Sequence, residues 1–573
     1  MTVQSAAIAA GKEPSEKEEQ NAYVLESYHV PDGTTPNLET YMYYAKIQRD
    51  REALSAKTDA EGGRSGGLIS RIFNRSQESD KRSVASDRKN VAPSSEEGGG
   101  AIVTAGEYRA ASGALRTATW GSVFYLITTD ILGPYSTPWT FQQVGYGPGV
   151  ACFFVFGILA AYGGCLLWWM FLKLDSERYP VKSFGDLGQR IYGRWFKYLC
   201  DILQSLQLVF NVGIIILQNG QGLSQMAKFK LCFSICNVVW ALAGMILGQI
   251  RTLQKFGKVA NVSIWLNVMV LIMTMAFVAH SPPNYTASPF GQYAGPVMTQ
   301  AINLQPFQDQ LNGIMQIVFS YGGAMIFVEF MAEMRRPMDF WKAMAFSQVF
   351  IFIVYMFFGL FVYTYQGQYV INPANQGISA YGLQTATNAI SLTAGLIAGA
   401  LYGNIGVKVI YNNVLVEMFG FPQLTVARGK YYFAFSVIVY WSIAFVIGSA
   451  IPLFSDLSAL VAAVCIFQFT YTFPPFMILG YCMQLDATKG DAQFNINNPH
   501  AHRVDTWRDL SRWKRAFFTK NGFFHVWNFL LTLACLSCAV LSAYSAVNSI
   551  VSSFDSSHSA TSFSCKSPLD NSG

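Results

Sequence analysis

Residues 128–149 read TTDILGPYSTPWTFQQVGYGPG and place a glycine and two prolines in the middle of an apolar run. Gly133-Pro134 and Pro138 fall mid-membrane if this run crosses a bilayer. Because proline removes a backbone donor and clashes with the preceding turn, the helix is predicted to kink or unwind there. Unpaired backbone in hydrocarbon costs several kcal/mol per group, so such a break survives only where protein or a watery cavity satisfies it. A mere kink is the alternative interpretation.

A second break is predicted at Ser320-Tyr321-Gly322-Gly323, five apolar runs further along the chain. Two interrupted helices at this separation are typical of an inverted five-plus-five repeat. The half-helix N-termini then present free N–H groups to a carboxylate, while freed carbonyls face an ammonium group or a coupling cation. A zwitterionic amino acid suits that geometry. The glycine pair could instead serve close helix packing.

The chain around these breaks is strongly apolar. Of its 573 residues, 52% are hydrophobic and 13% charged, whereas about 25% are charged in soluble domains. From about residue 119, apolar runs recur at a length of roughly twenty residues, which crosses about 30 Å of hydrocarbon. The predicted spans 1 to 11 are 119–141, 148–172, 198–220, 231–249, 259–280, 311–332, 343–365, 384–407, 431–451, 457–480 and 522–547.

We therefore predict an all-α integral membrane protein with about eleven transmembrane helices. Residues 1–112 are rich in Glu, Lys, Ser, Arg and Gly, a composition that cannot offset ordering entropy, and form a predicted disordered cytoplasmic tail. Within it, 68–73 could form a short amphipathic helix, but a solvated fragment is favoured. Residues 113–547 form the predicted transmembrane transporter domain and 548–573 a short non-cytoplasmic tail.

Lysine and arginine are distributed unequally between alternate loops. One set of loops carries the basic residues of 173–197, 251–258, 335–342, 408–430 and 489–520, whereas the other has Lys228 and Lys230, with Lys566 in the tail. By the positive-inside rule the first set is cytoplasmic, so the N-terminus is predicted inside and the C-terminus outside. The 281–310 loop then lies outside, and its sequon at Asn284 predicts glycosylation unless it is a chance match.

Span 3 carries a polar face within an apolar run. Its amides are spaced by three, four and seven residues, so they share one helical face. In lipid such a face must turn inward, either as polar contacts between helices or as one wall of a wet pathway. The residues are Gln204, Gln207, Asn211 and Gln218.

Few ionisable groups fall inside the predicted spans. Asp130 lies mid-span, one turn before Gly133, and Glu329 approaches the cytoplasmic end of span 6. Intramembrane carboxylates are costly and functional by default, so both are candidate proton-coupling residues, Glu329 having a gate or salt bridge as its alternative. Thr385, Thr387 and Ser391 in span 8 are weaker candidates for binding a cation, because back-bonding within the helix explains them equally well.

Other functional classes find no support in the residues. The charge of +6 is spread through loops without a basic stripe between aromatics, which excludes nucleic acid as a partner. The ten cysteines are interpreted as small buried hydrophobes, and no metal-ligand cluster is expected. We find no GxxxxGK[ST] loop, no HExxH and no plausible Ser/His/Asp set, so no catalytic residue is assigned. No cleavable signal peptide is expected at the N-terminus.

Three stretches carry a family resemblance. DILGPYSTPWTFQQVGYGPG, FSYGGAMIFVEFMAEMRRPMDF and RTLQKFGKVANVS resemble the first, sixth and fifth helices of the amino acid/auxin permease family, and the overall pattern is similar to fungal neutral amino acid permeases of the N-system type. The resemblance covers about 113–546. It implies a leucine-transporter-like fold, with spans 1–5 and 6–10 as inverted repeats and span 11 extra. It also implies a substrate site between the first and sixth helices, and cation-coupled uptake. Where many relatives have a GSG-type triplet, this chain has Ile131-Leu132-Gly133, so only Gly133 matches.

We therefore expect a secondary active transporter that imports neutral amino acids by proton symport with alternating access. No cofactor is expected, and protons are preferred to sodium as the coupling ion. A multi-pass protein of the plasma membrane is favoured, with the amino acid, the lipid bilayer and regulators of the N-terminal tail as partners. The alternatives are a vacuolar transporter and an amino-acid receptor that does not transport. The expected substrate-binding residues are Gly133, Pro134, Tyr135, Ser136, Gln207, Asn211, Phe319, Ser320, Tyr321, Gly322 and Gly323.

The orientation is testable by inserted reporters. A reporter or protease site at 281–310 should be non-cytoplasmic and one at 486–515 cytoplasmic, because the basic loops stay inside. Protease protection in sealed vesicles measures both. Two reporters on the same side would eliminate the eleven-span topology.

Overall fold

The computed structural model describes residues 36–62, 116, 118–131, 134–249, 253–288, 295–422, 427–495, 504–519, 521–555 and 561–570. The chain divides into two compact units, residues 1–117 with 172–180, and residues 118–171 with 181–573. The named elements of the described residues are all helices.

The first five predicted spans are each present as helix. Span 1 is interrupted, whereas spans 2 to 5 are continuous, and a short helix joins span 2 to span 3. The bounds are Trp120–Ile131, Pro134–Ser136 and Thr137–Val144 for span 1, Tyr146–Leu174 for span 2, Phe184–Tyr192 for the short helix, Arg194–Met226 for span 3, Phe233–Leu247 for span 4 and Leu253–His280 for span 5.

The remaining six spans follow with one clear break and several irregular turns. The bounds are Phe307–Ser320, Ala324–Ile326 and Phe327–Glu333 for span 6, Phe340–Gln366 for span 7, Tyr381–Val409 for span 8, Ala427–Ala450 for span 9, Phe454–Val461 and Phe473–Ala487 for the two α-helical parts of span 10, and Gly522–Asp555 for span 11. Span 8 ends in a π-helical stretch, and two further π-helical stretches separate the parts of span 10.

The predicted fold class is confirmed in these residues. Within the described ranges, nine helical runs are long and apolar enough to cross a membrane. Span 4 is a shorter apolar helix, and span 1 falls into two pieces at its break. The interruptions of spans 1 and 6 lie where glycine and proline predict them.

The first unit contains a helix within the segment 1–112, where disorder was expected. Leu38–Gly62 are α-helical, and Arg49 pairs with the fully buried Asp175 at 2.9 Å. Arg116 pairs with the same carboxylate at 3.1 Å. A composition argument missed this helix because its partners lie more than a hundred residues along the chain. The element predicted at 68–73 lies outside the described residues.

A disulfide corrects the interpretation of the cysteines. Cys232, before span 4, is bonded to Cys565 near the C-terminus, while the other eight cysteines are free. The two residues are separated by 333 positions, so no local spacing indicates the bond. The cysteines are therefore not all small buried hydrophobes.

Spans 3 and 9 cross at a pair of glycines in the second unit. A Cβ atom added to Gly448 would lie 2.5 Å from the carbonyl oxygen of Gly213. A side chain at this position would therefore force the two backbones apart. Small residues allow membrane helices this close approach.

Replacing Gly448 with alanine should destabilise the bundle by roughly 1–3 kcal/mol, because overpacking forces backbone shifts. The melting temperature of the purified protein in detergent should fall by several degrees. Gly382→Ala is the matched control, because no neighbouring atom lies within 4 Å of its added Cβ. Equal melting temperatures for both variants would show that the glycine contact does not limit packing.

Candidate substrate cavity between the helix breaks

A cavity of about 160 Å³ lies between spans 1, 3, 5, 6, 8 and 10. Both helix breaks contribute to its wall, span 1 through Tyr135 and Ser136 and span 6 through Ser320 and Gly322. None of the described residues that line it is charged. The other lining residues are Asn211, Ile214, Ile215, Gln218, Asn219, Asn267, Phe319, Ser391, Ala394, Gly395, Ala398, Tyr402, Phe454 and Ile466.

Side chains stabilise the break in span 1. The hydroxyl of Thr137 donates to the carbonyl of Pro134, and the hydroxyl of Thr140 donates to the carbonyl of Gly313 in span 6 at 3.1 Å. Tyr135 crosses to span 5, where its hydroxyl donates to Asn267 at 3.2 Å. The break thus follows from proline and is held by hydroxyl groups. Gly133 lies outside the described residues.

The break in span 6 is a tight turn between two helices. The amide of Gly323 donates to the carbonyl of Tyr321 at 3.0 Å, and the hydroxyl of Tyr355 in span 7 donates to the carbonyl of Ser320 at 2.8 Å. A Cβ atom on Gly322 would lie 2.8 Å from Cγ2 of Ile466 in span 10. Gly322 therefore allows the turn to approach span 10 at the cavity.

Some of the substrate-binding residues predicted at the two breaks line the cavity, and others do not. Phe319, Ser320 and Gly322 reach the cavity. Tyr321 does not, because its hydroxyl donates to the carbonyl of Phe153 at 3.2 Å and its ring packs against Phe153 and Tyr355. Pro134 and Gly323 are also absent from the cavity wall. Sequence cannot tell which way a side chain turns at an irregular break.

The polar face of span 3 serves both roles that its pattern allowed. Asn211 and Gln218 line the cavity. Gln204 contacts span 6 instead, donating to the carbonyl of Met325 at 3.0 Å and to Glu329 at 2.9 Å. Gln207 lies between these two regions, fully buried, and neither of its side-chain polar atoms has a hydrogen-bond partner. Asn211, whose Oδ1 also lacks a partner, offers an acceptor at the cavity wall, whereas Gln207 is not part of that wall.

Glu329 connects three elements below the break in span 6. Its Oε1 accepts from Gln204 and, at 3.4 Å, from the amide of Phe184, where the short helix begins. Its Oε2 is buried without a partner. The described contacts of Glu329 thus join span 6 to span 3 and to the loop helix through neutral donors, and none is an ion pair. Asp130 lies in the last turn before the break in span 1.

Sequence reasoning missed a carboxylate in span 3, on the same helical face as the amides described above. Asp201 is fully buried and its Oδ1 accepts from Asn413 at 3.2 Å. Lys197, one turn earlier, pairs with Asp186 at 3.0 Å and Glu417 at 2.7 Å. Asp201 precedes Gln204 by three residues, so the periodicity that identified the amides would also have found it.

The span 8 candidates do not act together. The hydroxyl of Thr387 donates to the carbonyl of Leu383 at 2.9 Å, which is the back-bonding alternative. Ser391 lines the cavity, and the hydroxyl of Thr385 is buried without a partner. Of the three, only Ser391 is part of the cavity wall.

Span 10 contributes a side of the cavity that the sequence analysis did not assign. Pro474 and Pro475 offer no amide to the carbonyls of the preceding turn, and the chain before them is π-helical. This irregular segment begins with Ala462–Ile466, and Ile466 lines the cavity opposite Gly322. The two adjacent prolines could have indicated from the sequence that span 10 is irregular here.

The predicted glycosylation site is occupied by protein contacts. Asn284 is 8% exposed, and its Nδ2, the atom that would carry a glycan, donates to the carbonyl of Ile378 at 3.4 Å. Its Oδ1 accepts from Thr286 and Ala287. A glycan on Nδ2 of Asn284 would have to replace the hydrogen bond to Ile378, and glycosylation at Asn284 stays a prediction.

A bundle of membrane-spanning helices with two interrupted helices around a polar central cavity is the architecture of a secondary transporter. A family model described as transmembrane amino acid transporter protein matches residues 116–495. The chain belongs to this family and is an amino acid transporter rather than an enzyme.

The chain is similar to several known proteins. The chain is 25% identical over 373 residues to the "N amino acid transport system protein" of Neurospora crassa, covering 62% of this chain and 74% of that protein. It is 24% identical over 385 residues to "Lysine histidine transporter-like 1" of Arabidopsis thaliana, covering 63% and 80%. A manganese transporter structure from Eremococcus coleocola is 12% identical, with coverage of 82% and 99% and a TM-score of 0.40.

Gly322→Leu should abolish uptake while the protein remains folded and membrane-inserted, because the new side chain meets Ile466 at the cavity wall. Radiolabelled uptake, normalised to folded protein, measures the loss. Combining the smaller Gly322→Ala change with Ile466→Ala should restore part of the uptake that Gly322→Ala loses. Uptake near that of the natural chain in Gly322→Leu would mean that this turn is not at the substrate site.

Proposed function

We propose that the protein imports neutral amino acids by proton symport, with the substrate bound in the cavity between the two breaks. The observation that carries the proposal is a cavity with polar but uncharged described walls, bounded by the N-terminal end of one half-helix and the C-terminal end of another. This pairing presents opposite partial charges to the two ends of a zwitterion.

The carboxylate binds at the break in span 1. Helix Thr137–Val144 begins beside Ser136, which lines the cavity, so its positive dipole end lies near the cavity. Pro134 has no N–H group, which makes the amides of Tyr135 and Ser136 the donors before the helix. The hydroxyl of Ser136 is a further donor on the cavity wall.

The ammonium group binds at the break in span 6. Helix Phe307–Ser320 ends at the cavity, so its last carbonyls carry the negative dipole end. The carbonyl of Ser320 already accepts from Tyr355, but a carbonyl oxygen has a second lone pair. Asn211, with its unpartnered Oδ1, faces the same space and offers another acceptor.

The preference for neutral substrates follows from the composition of the wall. A charged substrate side chain buried without a counter-charge is strongly disfavoured. The described wall supplies amides, hydroxyls and apolar groups such as Ile214 and Ala398. These groups suit small polar or apolar side chains.

Proton coupling is assigned to Asp130 and Glu329. Burial favours the neutral form of a carboxyl group and access to water favours its ionised form, so a carboxyl that alternates between both can carry a proton. The partnerless Oε2 of Glu329 suits a group that is protonated in one state. Sodium is the less favoured ion, because only Ser391 of the three span 8 candidates lines the cavity.

Import across the plasma membrane requires the N-terminus inside, as the basic loops predict. Uptake of the twenty amino acids into proteoliposomes, with imposed pH or sodium gradients and with or without protonophore, tests the proposal. Neutral substrates should accumulate with the pH gradient, and the protonophore should abolish accumulation. Binding without accumulation would indicate a receptor, and localisation of a tagged chain would separate the plasma membrane from the vacuole.

Asp130→Asn should lose proton-driven accumulation but keep exchange between preloaded vesicles, because asparagine retains size and hydrogen bonding but cannot titrate. Glu329→Gln, the matched substitution, tests the second carboxyl in the same two assays. Accumulation in response to a pH gradient alone in Asp130→Asn would exclude Asp130 as the coupling residue. Loss of both activities in folded protein would assign it to substrate binding or to the break itself.

A further inference from the structure

We propose that residues 561–570 form a strap, fastened by the Cys232–Cys565 disulfide, that holds the loop between spans 7 and 8 closed over the cavity. The proposal rests on the orientation given above, in which this face is non-cytoplasmic. It adds a covalent site and a control of access that the transport activity alone does not require.

The loop between spans 7 and 8, residues 367–380, is placed as a lid, and we call it the outer lid. Its tip, Ala374–Gly377, is buried and forms a short 3-10 turn. Gln376 donates to the carbonyl of Gln218, a cavity-lining residue, at 3.2 Å. Opening this side of the cavity therefore requires the tip to leave span 3.

The lid tip makes further hydrogen bonds with span 8 and with the outer end of span 3. The carbonyl of Gln376 accepts from Gln225 in span 3 at 3.2 Å and from Gln384 in span 8 at 3.1 Å. Asn388 donates to Gln225 at 2.9 Å, which links the two helices beneath the lid. The outer lid is thus closed in this structure by amide hydrogen bonds, which are individually modest in net free energy.

The strap is anchored at two places besides the disulfide. The amide of Phe233 donates to the carbonyl of Cys565 at 3.0 Å, beside the disulfide. The amide of Phe563 donates to the carbonyl of Ser449, at the outer end of span 9, at 3.0 Å. These contacts fix the strap to spans 4 and 9.

The far end of the strap reaches the outer lid. Leu569 is 7% exposed and packs in a small apolar cluster with Ala287 and Ile371, against Phe229. Ile371 belongs to the outer lid and lies three residues before its tip. Lid opening would separate Ile371 from Leu569 and expose both to water, which is unfavourable. The disulfide keeps Leu569 near the lid, so it adds to the free energy that favours the closed lid.

The disulfide also indicates the compartment. Disulfides persist in oxidising environments and are rare in the cytosol. The strap, the loop before span 4 and the outer lid should therefore share a non-cytoplasmic face, which agrees with the distribution of lysine and arginine. A reducing environment would release the strap and weaken lid closure.

The test measures lid opening without depending on transport. Ser391→Cys places a reporter thiol in the cavity, and its rate of reaction with a membrane-impermeant thiol reagent added from outside reports opening. Two variants are made in this background. The first combines Cys232→Ser with Cys565→Ser, and the second carries Leu569→Ser alone. Each should raise the labelling rate of the reporter, by roughly tenfold if the strap contributes 1.4 kcal/mol to closure.

Two variants serve as matched controls. Cys538→Ser removes a free cysteine of span 11, and Lys566→Ser changes an exposed strap residue without touching the disulfide or the apolar cluster. Neither should change the labelling rate. Leu569→Ser must still give a cross-linked peptide containing Cys232 and Cys565 when thiols are blocked before digestion, which separates lid contact from disulfide loss.

Two results would overturn the proposal. The first is the absence of the cross-linked peptide from thiol-blocked natural protein, which would show that the strap is not fastened. The second is a labelling rate that neither the combined cysteine variant nor Leu569→Ser changes, which would show that the strap does not hold the lid. Failure of proton-driven uptake would overturn the proposed function but leave these two measurements unaffected.

Discussion

The structure depends on how released backbone groups are satisfied at the two breaks within hydrocarbon. A regular helix satisfies its own amides and carbonyls, whereas a broken helix must find partners elsewhere. In span 1 the partners come from threonine hydroxyls, and Thr140 joins this break to span 6 through Gly313. In span 6 the tyrosine of span 7 binds the carbonyl of Ser320. Each break therefore depends on partners from a neighbouring helix, and both breaks contribute to the wall of the cavity.

Span 3 is the fixed reference for both ends of that cavity. Its inner end contacts Glu329 through Gln204, its middle lines the cavity through Asn211, and its outer end binds the lid tip through Gln225. One polar helical face therefore carries the inner contact, the binding wall and the outer contact. The proposed alternating access would require the partners of this face to change at one end at a time.

The sequence predicted the features that depend on local chemistry. Span length, the two breaks and the polar face of span 3 all follow from proline, glycine and periodicity, and the structure agrees with each. The sequence analysis missed the features that depend on contacts between residues far apart in the chain. The Cys232–Cys565 bond, the helix Leu38–Gly62 and the burial of Asn284 are of this kind. The direction of the Tyr321 side chain could not be predicted, because it follows from packing against Phe153, which no pattern in span 6 reveals.

Ion pairs outside the helix bundle bear on which carboxyl group carries the proton in the proposed symport. In the loop between spans 10 and 11, Arg512 is almost fully buried and pairs with Asp491 and Asp505. A hydrogen bond from Arg515 lowers the pKa of Asp505 to about 2, so this carboxylate stays ionised at physiological pH. For the proposed proton coupling, Asp505 is therefore a poorer candidate than Glu329, which makes no ion pair among its described contacts and has an oxygen without a partner. An uncharged binding cavity and a proton carrier apart from it are compatible, because the substrate needs only the dipoles of the breaks whereas the proton needs a carboxyl group.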